Sequence, residues 1–132
     1  KAALIAHCRR AGIRIVTTGA AGGRTDPTRI EVIDLSRTTQ DALASRVRAL
    51  LRKDYGFPRE PKKKFGVDCV YSPEQLRRGA GADFCDTDGV AAEIPVDPAA
   101  GLNCAGYGSS VAVTAGFGFA AAARVLAGIL PA

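Results

Sequence analysis

The sequence predicts an α/β fold in which a few mixed strands extend a sheet, a crossover loop comes next, and a Gly/Ala-rich helix closes the chain. Its grounds are an apolar stripe at helical spacing near the start, β-branched strand-like runs in the first half, and a nearly uncharged Gly/Ala segment near the end. At 132 residues the chain is long enough for one domain with its own core, and its 47% apolar share is ordinary for a soluble globular protein. The net charge of +5 permits a polyanionic partner without demanding one. Cys8, Cys69, Cys85 and Cys104 are widely spaced and form no CxxC pair, so neither a zinc ribbon nor a disulfide framework is indicated. They read as thiols in a reducing compartment, and no metal site is expected.

In KAALIAHCRRAG, Leu4, Ile5 and Cys8 make an apolar stripe at helical spacing and Gly12 is a natural stop. Cys8 is expected in the core, and His7 at the surface or an interface. The helix opens at Lys1 without an N-cap, an initiator Met or a signal peptide, so the chain is expected to be the C-terminal part of something longer. Residues 13–18 read as a strand. The stretch TTGAAGG, residues 17–23, succeeds it as a phosphate-binding glycine loop would, but such a loop needs a helix next, because the helix N-terminus holds the phosphate. Instead the chain continues as RTDPTRIEVIDL, with turn chemistry at Asp26-Pro27 and a strand over 29–35. The glycines are therefore expected to serve a wide β connection, through positive φ or close backbone approach.

Thr38-x-x-Asp41 resembles a capping box before Leu43, Val47, Leu50 and Leu51, which share one helix face, and Gly56 and Pro58 end that helix. Arg52, Lys53, Arg59, Lys62, Lys63 and Lys64 then cluster around the loop PREPKKKFG, and Arg77 and Arg78 add to them in sequence. Such a cluster is a solvated loop or a contact for RNA; without an aromatic ladder, an RNA contact would be to phosphates rather than bases. In FGVDCVY, Phe65, Val67, Cys69 and Tyr71 alternate as in a strand, which puts Cys69 on its apolar face. A short helix is expected over 73–78. Residues 79–103, rich in Gly, Ala, Asp and Pro without periodicity, are expected to form a mobile crossover loop, in which Cys85 is blunted as a nucleophile by flanking acids. Residues 107–130 are long enough for a membrane span, but Arg124 and the bias to Ala and Gly favour a helix buried against other protein elements. The expected location is cytoplasmic, with membrane association through 107–130 as the alternative.

KAALIAHCRR, IVTTGAAGG continuing into DPT and a strand ending in DL, FGVDCVYS, and LNCAGYGSS leading into the Gly/Ala helix occur in succession. Together they resemble the C-terminal half of the tRNA threonylcarbamoyladenosine dehydratases, of the E1-like superfamily that includes ThiF and MoeB. The resemblance implies an E1-like, Rossmann-like adenylating domain of which residues 1–132 are a single partial domain, the nucleotide-binding half lying upstream of Lys1. It implies a homodimer that uses ATP to adenylate the threonine carboxylate of threonylcarbamoyladenosine in tRNA and closes a ring with net loss of water. ATP and Mg2+ would be held mainly by the missing half, so no ATP hydrolysis is expected from this chain alone.

Under that resemblance Gly19, Gly22 and Gly23 are the backbone of the active-site cleft, and Arg59, Lys62, Lys63 and Lys64 the RNA contact. Cys104 is the candidate catalytic thiol. It sits at the junction of the loop and the last helix, where a helix N-terminus lowers a thiol's pKa, and the dehydratases are associated with cysteine-desulfurase sulfur relays. Two alternatives remain: an E1-like activator of a small sulfur-carrier protein, and a non-catalytic binding or membrane-anchoring module.

Overall fold

The computed structural model describes residues 1–75 and 108–129. They fold as α1 (Ala2–Arg10), β1 (Val16–Thr18), β2 (Glu31–Asp34), α2 (Ala42–Asp54), β3 (Asp68–Tyr71) and α3 (Val111–Leu126). The strands form one mixed sheet in the order β1-β3-β2. β1 runs parallel to β3, with Val16 opposite Asp68, and β2 runs antiparallel to it, with Asp34 opposite Asp68. The expected α/β class is therefore the observed one.

β3 is central, and the alternation of its side chains divides the core in two. Cys69 and Tyr71 face α1 and α2, in a cluster that includes Ile5, Leu35, Val47, Leu51, Phe65 and Val67. Val70 faces the other way, onto Val113 and Phe117 of α3, with Val16 and Ile30 beside them. Helices thus cover both faces of the sheet, as parallel strands require.

Each element departs slightly from its expected extent. In α1 Ile5 and Cys8 are buried as expected, but Ala2 and Ala6 complete the packed face, while Leu4 is 61% exposed. β1 starts at Val16 rather than at residue 13. Gly12 has φ +68 and the Ile13 N–H bonds back to the Cys8 carbonyl, so the chain is still leaving α1, and β3 offers no partner before Asp68. Thr38 is not the start of a capping box, because its hydroxyl donates to the Leu35 carbonyl. Asp41 is the N-cap of α2, its carboxylate accepting from the Ala44 N–H at 2.8 Å. α2 buries Ala44, Val47 and Leu51 and leaves Leu43 and Leu50 largely at the surface. Gly56, at φ +70, turns the chain out of the helix as expected.

Residues 72–75 are not helical, so no helix begins at residue 73; the rest of the expected 73–78 helix and the 79–103 loop lie outside the described residues. α3 is a helix, but only Val113 and Phe117 are buried, and Val111 and Phe119 are almost fully exposed. Among the described residues no helix is long and apolar enough to cross a membrane.

Candidate functional site

β1 and β3 are parallel, and the segments leaving their carboxyl ends, 19–26 and 72–75, meet beside the start of α2. In α/β sheets this is the end at which ligands bind. The glycine stretch joins β1 to β2 across a short 3-10 turn at Pro27–Arg29, so it is the β connection expected from the sequence. Gly19 lies hard against the Asp41 carboxylate and the Tyr71 side chain, where a Cβ has no room, and Gly23 has φ +73.

Arg24, 1% exposed, ties these segments together. Its Nε donates to the Ser72 carbonyl at 3.1 Å, one terminal nitrogen to the Ala20 carbonyl, and the other to the Gln40 carbonyl at 2.9 Å. That last nitrogen also lies 3.6 Å from the Asp41 carboxylate, itself buried. Asp41 in turn accepts the Ala20 N–H at 2.9 Å. Next to this knot the Glu74 carboxylate, 5% exposed, accepts the N–H groups of Thr25 and Asp26 and the Thr25 hydroxyl. The Asp26 N–H does most to hold its carboxyl below the usual glutamate range; burial opposes this, and the Thr25 bonds add to it.

The basic loop lies elsewhere, between α2 and β3, with Arg59, Lys62, Lys63 and Lys64 all exposed and Lys63 3.2 Å from Glu60. It is anchored at its end. Phe65 is buried edge-on against Phe57, with the Arg52 guanidinium over its ring, and the Asp34 carboxylate accepts the N–H groups of Phe65, Gly66 and Val67.

No protein-family model matches the chain. Over 127 residues it is 45% identical to the tRNA threonylcarbamoyladenosine dehydratase of Haemophilus influenzae, an alignment covering 96% of this chain and 44% of that protein. The Escherichia coli K12 protein of the same name is 45% identical over 129 residues, covering 96% and 46%. The solved structure of E. coli tRNA N6-threonylcarbamoyladenosine dehydratase, TcdA, in complex with ATP superposes with a TM-score of 0.70 at 42% identity, covering 95% of this chain and 41% of that one. The chain is related to the C-terminal half of the tRNA threonylcarbamoyladenosine dehydratases. It spans less than half the length of these curated relatives. Its fold is that of the corresponding part of their E1-like domain.

The ATP named with the E. coli dehydratase puts a question to the glycine stretch, and its hydrogen bonds answer it. The N–H groups of Gly19, Ala20, Gly23 and Arg24 are taken by the Val70 carbonyl, Asp41, the Gly108 carbonyl and the Ala21 carbonyl, and the Arg24 guanidinium is spent on the protein itself. These groups are not turned toward a phosphate as those of a phosphate loop are. Among the described residues no three His, Cys, Asp or Glu side chains group as metal ligands.

Of the residues singled out in the sequence, Gly19, Gly22 and Gly23 lie at the carboxyl end of the parallel strands, whereas Arg59 and Lys62 to Lys64 do not join them. Cys8 and Cys69 are buried, as expected, and His7 is exposed. Cys85 and Cys104 lie outside the described residues. Sequence reasoning missed Arg24, Asp34 and Glu74, and saw in Asp41 only part of a capping box. A signal was present in Asp34 and Asp41, each an acid placed just before a turn or helix, the position of a cap.

Proposed function

We propose that the protein to which this chain belongs dehydrates N6-threonylcarbamoyladenosine in tRNA in an ATP-dependent reaction, this chain being the C-terminal part of the enzyme. The observation that carries the reading is 45% identity to two proteins of that name across 96% of the chain. ATP, with Mg2+, is held by the part of the enzyme that this chain does not match, which agrees with a glycine stretch in which the N–H groups of Gly19, Ala20 and Gly23 are already engaged. The chain alone then hydrolyses no ATP. Its own contribution is to fix the carboxyl end of β1 and β3 through Arg24, Asp41 and Glu74, beside which the backbone of Gly19, Gly22 and Gly23 borders the cleft. In the intact protein, a cytoplasmic homodimer, Cys104 is the thiol available to a cysteine-desulfurase sulfur relay, and the loop carrying Arg59 and Lys62 to Lys64 contacts tRNA phosphate.

The test is mass spectrometry of nucleosides from tRNA incubated with the full-length protein, ATP and Mg2+. The expected result is ATP-dependent loss of one water from threonylcarbamoyladenosine. Absence of that loss with folded full-length protein overturns the reading in favour of an activator of a small sulfur-carrier protein. The same assay on Cys104→Ser decides the role of the thiol: unchanged turnover removes it from the chemistry.

A further inference from the structure

Away from the glycine stretch lies an open groove of about 600 Å³. Its cations come from separate elements: Arg9 from the last turn of α1, Arg14 from the segment before β1, Arg37 from the turn after β2, Lys64 from the end of the basic loop and Arg124 from α3. Its two acids, Asp34 and Asp68, are both spent. Asp34 accepts backbone N–H groups, and Asp68 pairs with Arg124 at 2.7 Å. Arg9, Arg14, Arg37 and Lys64 are exposed and make no ion pair among the described residues.

Two of these cations pack against glycine backbone. The Arg14 guanidinium lies over Gly128 and that of Arg9 over Gly66, each where a Cβ would collide with it. The remaining lining includes Ile13, Ile15 and Val32 but no aromatic ring, so nothing in the groove stacks on a base. Converging cations that have no ion-pair partner among the described residues, and no stacking platform among them, suit phosphate. The groove lies at the amino ends of β1 and β3, since Arg14 precedes Val16 and Asp68 is the first residue of β3, whereas the glycine stretch leaves their carboxyl ends. The length of a strand, roughly 13 Å for four residues, separates the two. Cations contributed by separate elements along an open groove of this size suit an extended polyanion more than a single small anion.

We propose that the groove over Arg9, Arg14, Arg37 and Lys64 binds the phosphodiester backbone of the tRNA substrate, at the end of the sheet opposite the glycine stretch. This rests on the dehydratase reading for the identity of the RNA. It extends the RNA contact beyond the basic loop onto arginines that no charge run in the sequence marks.

The experiment compares full-length wild type with R14A/R37A, with the charge-matched R29A/R46A, whose residues are exposed and outside the groove, and with R14K/R37K. Binding of threonylcarbamoyladenosine-containing tRNA is measured across a salt series, together with steady-state dehydration. For R14A/R37A the expected result is an affinity about 10-fold weaker and a slope of log K against log salt reduced by roughly 1.5 to 2, with KM raised and kcat kept. R14K/R37K restores most of the loss. Unchanged affinity and slope in R14A/R37A, or an equal loss in R29A/R46A, overturns the proposal. So does loss of binding to polyglutamate with tRNA binding intact, which assigns the groove to an acidic protein. If the wild type removes no water yet binds tRNA through Arg14 and Arg37, the groove stands and the dehydratase reading falls.

Discussion

Burying a guanidinium costs several kcal/mol unless its N–H groups find acceptors, and Arg24 meets that demand with the carbonyls of Ala20, Gln40 and Ser72 and the carboxylate of Asp41. Truncating either charge leaves the other buried and unpaired. Arg24→Ala and Asp41→Ala in the full-length protein are each expected to destabilise by about 3–5 kcal/mol, read as a lower urea midpoint with an unchanged slope. Arg24→Lys is not expected to restore it, because an ammonium does not reproduce the guanidinium's fork of donors. A midpoint that Arg24→Ala leaves in place would show the pair to be idle. Cys69 is the other residue whose chemistry its surroundings decide. Burial first, and the charge of Asp41 second, push its thiol up to about 12, so it stays protonated at any physiological pH. Its expected behaviour is inertness to a thiol reagent at pH 8 in native protein and prompt reaction on unfolding; native labelling at the rate of an exposed thiol would contradict its place in the core.

Among the elements, the turn after β2 and the approach to β3 share one carboxylate, Asp34. Burial raises its pKa, but hydrogen bonds from Ser36, Phe65 and Gly66 outweigh this and hold the carboxyl below the ordinary aspartate value of 3.8. Stability contributed by Asp34 is therefore complete above the unfolded value and is lost as pH falls through the lower folded one. Asp34→Asn is expected to remove that part of the acid limb of the urea-midpoint profile, below about pH 4; an identical limb in the variant would show that the carboxylate contributes none of it. The strong periodic signals made α1, α2, α3 and the three strands legible in the sequence. Boundaries were less so, because they depend on partners: β1 begins where Asp68 becomes available, and α1 packs through the small Ala2 and Ala6 beside Ile5 instead of through Leu4. The Gly/Ala character of α3 suggested a helix buried against other protein elements, and among the described residues only the face with Val113 and Phe117 is covered.

For the molecule as a whole, the sequence disclosed the class of fold, the family resemblance and the general end of the sheet where the glycines lie. It did not disclose Arg24, Glu74 or the groove. Their partners are distant in sequence: Ser72 is 48 residues from Arg24, and the groove's cations arise from separate elements, so neither leaves a local pattern to read. Long-range pairing of this kind also decides what opens together. The two oxygens of Asp41 hold the Ala44 amide, at the start of α2, and the Ala20 amide, in the glycine stretch. In native-state hydrogen exchange these two amides are therefore expected to lose protection in a single opening event with equal free energies, and Arg24→Ala to lower both by the same amount. Should Ala20 exchange well ahead of Ala44, the loop would be a separate, weaker unit. With one shared latch, the glycine stretch inherits the stability of a helix, and its shape is set before any ligand arrives.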